Sequence, residues 1–222
     1  MSKNKKETPI VADEVLGKSE AFIIKNKNAI ITVVSIVILA IAGVLAYNNF
    51  VLEPQEKEAE KALIAVAQYY VEGKYSESLD GDGVNLGTRD ICEEYSGTDA
   101  GNLASMYAGL ALVKLEKYEE AIEYLEDFDG NDDIVAPKVK HALGNCYAHA
   151  ANNKKAISLL LDAAKAENEA VTPFCLRDVA AMYEQEGKTA EAVELYKRIK
   201  TEYPSCILVT EGEIDRQLNS IK

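Results

Sequence analysis

The sequence predicts an all-α chain: a single N-terminal transmembrane helix followed by an α-solenoid of paired helices. Three observations carry this. Ala29 to Ala46 reads AIITVVSIVILAIAGVLA, an uncharged apolar run. Three later stretches align with one another at a step of 35 to 36 residues. Trp is absent and only five prolines occur in 222 residues, among many Ala, Glu, Lys and Leu residues, which favour helix.

The apolar run comes first. A helix rises about 1.5 Å per residue, so 18 residues cover roughly 27 Å of a hydrocarbon core about 30 Å thick. Ala29, Ile30, Val33, Ile36, Leu39, Gly43 and Ala46 place apolar or small side chains on every face, over a length at which a buried core helix is rarely apolar all round. Tyr47 and Phe50 extend the span to 29–50 and suit the interface. Lys25 and Lys27 precede the run, while Glu53, Glu56, Glu58 and Glu60 follow it. The positive-inside rule therefore places residues 1–28 in the cytoplasm and 51–222 outside. AIAG at 40–43 has the small-x-small form of a signal cleavage site, but the apolar run continues past it and a long region precedes it, which favours an uncleaved anchor. Within the tail, 13–28 reads either as a short amphipathic helix, with Val15, Leu16, Phe22, Ile23 and Ile24 on the inner leaflet and Lys18, Lys25 and Lys27 at headgroups, or as an unstructured lead-in.

Charge separates the two parts. The net charge is −13. Residues 1–28 hold six Lys and four acids, +2, and 29–46 hold none, so 47–222 carry −15. A part this acidic argues against nucleic acid as a partner, which calls for basic clusters.

The repeats begin at 102. The stretches 102–128, 137–164 and 173–204 each read as a helix, a short polar turn and a second helix. Ala121, Ala156 and Ala192 share a place in the second helix; Gly109, Gly144 and Ala180 share one in the first; Tyr147 and Tyr183 share another, filled by Leu112 in the first repeat. Small residues let the two helices of a pair approach, and larger ones fill the groove between them. LGNCY at 143–147 and KLEKYEEAIEYL at 114–125 resemble tetratricopeptide repeats, a family with this small and large pattern on a 34-residue step. Pro204 falls where that family closes a repeat; no Trp stands near the start of any unit. The units are 102–135, 137–170 and 173–206. A degenerate unit precedes them at 58–98, where EGKY mimics a repeat turn and Ser78 replaces the alanine. Residues 205–222 predict a capping helix with Ile207, Ile214, Leu218 and Ile221 on one face.

DGDGVNLG (80–87) interrupts the degenerate unit. A calcium loop starting at Asp80 has Asp82 at its third position, but Val84, Asn85 and Ile91 occupy positions five, six and twelve, so two ligands remain of the pattern. A phosphate loop would end in Lys-Ser or Lys-Thr, which GVNLGT lacks. Gly81, Gly83 and Gly87 are instead expected to supply positive-φ turns where a helix stops, with weak cation binding as the competing reading. Asp127, Asp129 and Asn131 have loop-like spacing, but no Glu closes the set, and the stretch reads as an inter-repeat loop.

No catalytic constellation is visible, and the sequence predicts no enzyme, cofactor, metal or small-molecule substrate. His141 and His149 lie eight residues apart on one helix, about 12 Å along its axis, too far to share a metal. Cys92, Cys146, Cys175 and Cys206 have no CxxC spacing; they suit buried thiols, with disulfides as the alternative.

The tetratricopeptide resemblance implies a concave groove lined by the first helices. Its positions would be Leu103, Met106, Leu110 and Lys114 in the first repeat, Lys138, His141, Asn145 and His149 in the second, and Phe174, Arg177 and Glu184 in the third. The polar set could take a peptide's carbonyls or carboxylate and the apolar set its side chains. The layout as a whole, with EAFIIKNKNAI entering the anchor, an acidic segment after it and then repeats, resembles the YfgM-like family of bacterial inner-membrane proteins. That resemblance implies a periplasmic protein-binding adaptor, an ancillary partner of the Sec translocon that links it to chaperones or exported chains. A structural scaffold in an envelope assembly is the alternative.

Overall fold

A computed structural model describes residues 22–221. Val15, Leu16 and Lys18, called on for a leaflet-facing helix, lie outside them; residues 22–25 are helical, with Phe22, Ile23 and Ile24 exposed. Contacts divide the chain into two units that meet at Pro54 and Gln55.

In the first unit α1 (Lys27–Tyr47) has no buried residue, and it is long and apolar enough to cross a membrane. Its 21 residues span about 31 Å. Thr32 Oγ1 donates back to the Asn28 carbonyl at 2.9 Å, which satisfies that donor within the helix. A π-helical turn, Asn48–Leu52, follows.

Among the described residues the only secondary structure of the second unit is helical, and the division falls just inside its first helix, whose residues 53 and 54 belong to the first unit. The helices are α2 (Glu53–Val71), α3 (Tyr75–Asp80), α4 (Thr88–Glu94), α5 (Asp99–Lys114), α6 (Tyr118–Asp127), α7 (Val135–His149), α8 (Asn153–Ala163), α9 (Thr172–Gln185), α10 (Thr189–Glu202), α11 (Ile207–Thr210) and α12 (Glu213–Ser220). The pairs α5–α6, α7–α8 and α9–α10 pack as hairpins, and α6 packs on α7 and α8 on α9, so each pair stacks on the next.

One turn recurs through the stack. The residue that leaves the first helix in a left-handed conformation is Gly73 (φ 76°), Glu116 (φ 59°), Ala151 (φ 58°) and Gly187 (φ 74°). In each case the next residue's N–H closes on the carbonyl five positions back: Lys74 to Tyr69, Lys117 to Leu112, Asn152 to Tyr147 and Lys188 to Tyr183, at 2.8–2.9 Å. This is the Schellman closure that satisfies a helix's last carbonyls. The four turns stand 43, 35 and 36 residues apart. The first interval is thus eight longer than the second, and it contains the eight residues 80–87. The extra length in the 58–98 segment therefore falls after its shared turn, between α3 and α4.

The close approach inside each pair has the expected residues. A Cβ on Gly109 would sit 2.5 Å from Leu125 Cδ2, and one on Gly144 would sit 2.8 Å from Leu160 Cγ. Ala121, Ala156, Ala180 and Ala192 are fully buried. Burying Leu125 and Leu160 stabilises the stack by about 1.5–3 kcal/mol each. In the degenerate unit the matching places hold Val66 and Ser78, both fully buried, with Ser78 Oγ donating to the Val66 carbonyl at 3.2 Å.

Two expectations are corrected. Gly87 has φ −86°, so it is not a positive-φ turn residue; Gly81 (φ 74°) and Gly83 (φ 85°) are. Gly87 is required because a Cβ there would meet the Leu79 carbonyl oxygen at 2.1 Å. The capping helix is also two helices, α11 and α12, broken at Gly212 (φ 71°). The break turns Ile207 outward, 53% exposed, and buries Leu208 in its place beside Ile214.

A candidate partner-binding face on the first helices

Two caps fix where the first helices start. Asp132 accepts from the N–H groups of Ile134, Val135 and Ala136 and thereby begins α7. Glu56, on α2, accepts from Asp99 N (2.7 Å) and Ala100 N (2.9 Å) and caps α5. Each places a carboxylate at the positive end of a helix dipole. The Asp132 contacts hold its carboxyl below the ordinary range.

Between α7 and α9 the chain forms a cleft of about 360 Å³, lined by Val113, Tyr118, Asn145, Cys146, Ala148, His149, Arg177 and Asp178. One wall is an aromatic plate: the His149 and Tyr118 rings stack with centroids 3.8 Å apart and planes 6° from parallel. The other is a polar chain. His141 Nε2 lies 2.6 Å from Asp178 Oδ2, and Asn145 Nδ2 lies 3.3 Å from His141 Nε2. Arg177 Nε and Nη2 both donate to Asp178 Oδ1, at 2.9 and 2.7 Å. Arg177 Nη1 stands 3.7 Å from Glu213 Oε1 on α12, with the guanidinium over the Phe174 ring. Burial pushes the Asp178 carboxyl up, but the His141 and Arg177 contacts outweigh it and hold it below its ordinary value. The group thus joins the second repeat, the third and the cap through one ionised carboxylate.

Asn145, His149 and Arg177 of the expected set line this cleft, with His141 behind them. Met106 and Leu110 pack partly buried against the core of the first two repeats, and Leu103 is 39% exposed. Lys114 and Lys138 are exposed. Glu184 accepts a hydrogen bond from the Tyr196 hydroxyl at 2.6 Å, so it ties α9 to α10. Phe174 is packed against the core of the third repeat. Asp178, Tyr118 and Val113 were not in the expected set. Asp178 follows Arg177 directly and lies about one repeat beyond His141, which a contact-based reading of the repeat step would have found; Tyr118 belongs to a second helix, outside the first-helix pattern.

The 80–87 loop satisfies its own acids. Asp82 Oδ1 accepts from Val84 N (2.8 Å) and Asn85 N (2.7 Å), and Oδ2 from the Tyr69 hydroxyl (2.6 Å). Asp80 pairs with Arg89 at 3.0 Å. The loop is a self-closed turn of the Asx type. Asp129 and Asn102 exchange hydrogen bonds across 27 residues, which fastens the 126–133 loop to α5. Among the described residues no group of three or more His, Cys, Asp or Glu side chains could hold a metal ion.

The four cysteines are free; Cys146, Cys175 and Cys206 are buried and Cys92 half-buried. Burial pushes the Cys146 thiol up to about 11 and the Cys175 thiol up to about 12, so both are neutral core groups and poor nucleophiles.

No protein-family profile matches the chain, and no curated protein matches it. Among solved structures, the chain is similar to the nearly identical TPR-like repeats of a Podosopora anserina protein named as a kinesin light chain. The likeness is 16% identity and a TM-score of 0.49, over 77% of this chain and 94% of that one. A single-substitution variant of the same repeats gives 16% and 0.49, over 77% and 93%. The helix-pair architecture rests on the turns and packing described above.

Proposed function

We propose that the chain is a membrane-anchored protein-binding adaptor, with α1 as an uncleaved anchor, residues 1–28 in the cytoplasm and the repeat unit in the bacterial periplasm. The observation that carries this is the pairing of a fully unburied 21-residue apolar helix with a stack of helix hairpins whose first helices border an open cleft. Such stacks use their first-helix face to hold other proteins, and an anchor raises the local concentration of whatever they hold at the membrane. By the resemblance of layout, the site of action is the exit of the Sec translocon, where the repeat unit receives a periplasmic chaperone or an exported chain. No chemistry is assigned to it: the cleft's one His–Asp pair has its carboxylate committed to Arg177, and the nearby Cys146 thiol is neutral.

Two measurements test this reading. Protease added outside sealed spheroplasts should digest residues beyond 60 and spare the first 28; protection of the repeat unit would contradict the topology. Crosslinking in intact membranes should capture the translocon channel or an exported chain. Capture of only copies of the chain or of cell-wall machinery would favour a scaffold in an envelope assembly.

A further inference from the structure

The expected groove positions of the three first helices carry Lys114, Lys138 and Arg177 against a single acid, Glu184. Residues 47–222 carry −15, yet α7, VAPKVKHALGNCYAH, contains no acidic residue and has two Lys and two His. Acids crowd the second helix α6, YEEAIEYLED, while on the first helix α9 Asp178 is engaged by His141 and Arg177 and Glu184 by Tyr196. Within the repeats Lys140, Lys155, Lys165, Lys188 and Lys200 are ion-paired; among the described residues the exposed Lys114 and Lys138 on first helices are in no ion pair, as are Lys154 and Lys197 on second helices. Arg177 keeps Nη1 only loosely engaged, 3.7 Å from Glu213. Beside these cations α5 offers Leu103, 39% exposed, and the half-buried Met106 and Leu110.

We propose that this face binds an internal, extended, acidic-apolar segment of a partner protein, through Lys114, Lys138 and Arg177 on its carboxylates and the α5 side chains on its apolar residues. This rests on the protein-binding reading of the first-helix face and names the class of chain that fits it. A segment of opposite charge gains from the unpaired lysines and is steered to them from an otherwise repelling surface. A single terminal carboxylate is a poorer match. Lys114 lies five residues after Gly109, and Lys138 lies six before its equivalent Gly144. Eleven helical residues separate them along the axis, roughly 16 Å. One carboxylate cannot reach both, while acidic side chains about five residues apart on an extended chain can, at ~3.3 Å per residue.

The test uses the full chain in nanodiscs and fluorescein-labelled twelve-residue peptides with amidated C-termini. The first carries two Leu and two Glu placed five residues apart. In its counterparts the Glu residues become Gln or Lys, and a last peptide has Gln in their place and a free C-terminal carboxylate. Anisotropy should show binding by the Glu peptide, weakened at least tenfold in the Lys114→Glu, Lys138→Glu double variant and unchanged in Lys154→Glu, Lys197→Glu, which makes the same charge change on second helices. Circular dichroism checks that both variants fold. Equal loss in both variants, or equal binding by the free-carboxylate peptide, would overturn the proposal. If the Gln or Lys peptide binds more tightly and the Lys114, Lys138 variant alters that binding, the acidic assignment fails and the first-helix reading survives. Binding by no peptide overturns both.

Discussion

The degenerate unit (α2–α4) and the three regular pairs (α5–α10) solve one packing problem in two ways. In the regular pairs the first helix carries Gly109, Gly144 or Ala180, and the second brings Leu125, Leu160 or Tyr196 down onto it. In the degenerate unit the residue matching Leu125 is Asp82, which has left the helix for the loop. The first helix compensates with Val66, fully buried, where the others have Gly or Ala. The turn between the two helices is the same in all four units. A repeat can therefore lose the second half of its second helix and keep its place in the stack, provided the volume moves to the other partner.

The comparison can be broken at its tightest point. Gly87→Ala would drive a Cβ into backbone atoms of Leu79 and Gly81, at 2.1 and 2.4 Å, which cannot yield as side chains do; the loss should be about 3 kcal/mol. Chemical denaturation of the full chain reads it. In the regular stack the largest polar effect is expected at Asp178→Asn, about 2–3 kcal/mol, because His141 and Arg177 lose an ionised partner that is mostly buried. Because the folded carboxyl is held down, its contribution is present above roughly pH 4 and is lost as pH falls below that. Unfolding midpoints of the parent and Asp178→Asn chains should therefore converge on acidification.

The volume exchange predicts that opposite changes in volume are each costly at equivalent places. Val66→Ala opens a cavity and should cost about 2 kcal/mol. Gly144→Ala asks the Leu160 side chain, 2.8 Å from the new Cβ, to move, and should cost about 1 kcal/mol. If Val66→Ala were neutral, the compensation reading would fail. The smallest effect is a gain. Ala151 and Glu116 hold φ of 58° and 59°, where a Cβ is strained, so Ala151→Gly should raise stability by about 0.5–1 kcal/mol. Gly187→Ala should lower it by a similar amount.

How much of this the sequence reveals depends on the kind of contact. The alanines at 121, 156 and 192 recur in one place because two backbones meet there, and repetition makes that legible. The recurring turn is harder to read: only Gly73 and Gly187 advertise a left-handed residue, while Glu116 and Ala151 hide it. The caps by Asp132 and Glu56 are unequal in the same way. Asp132 stands three residues before α7 begins, a local signal, whereas Glu56 reaches across 43 residues to α5, and only the fold brings them together. Ile207 was misplaced because a single 3.6-residue period was carried through Gly212, where the chain turns. On the candidate face, the three residues that share the cleft came from repeat positions alone. Asp178 organises them, and its role lies in a contact between successive repeats.

The most direct test of the central claim is site-specific photocrosslinking from the first-helix face in intact membranes. A benzoylphenylalanine at exposed position 138 on α7 should capture a partner protein, and one at exposed position 154 on α8 should not. Adducts from 154 with none from 138 would place binding on the opposite side of the stack and contradict the account.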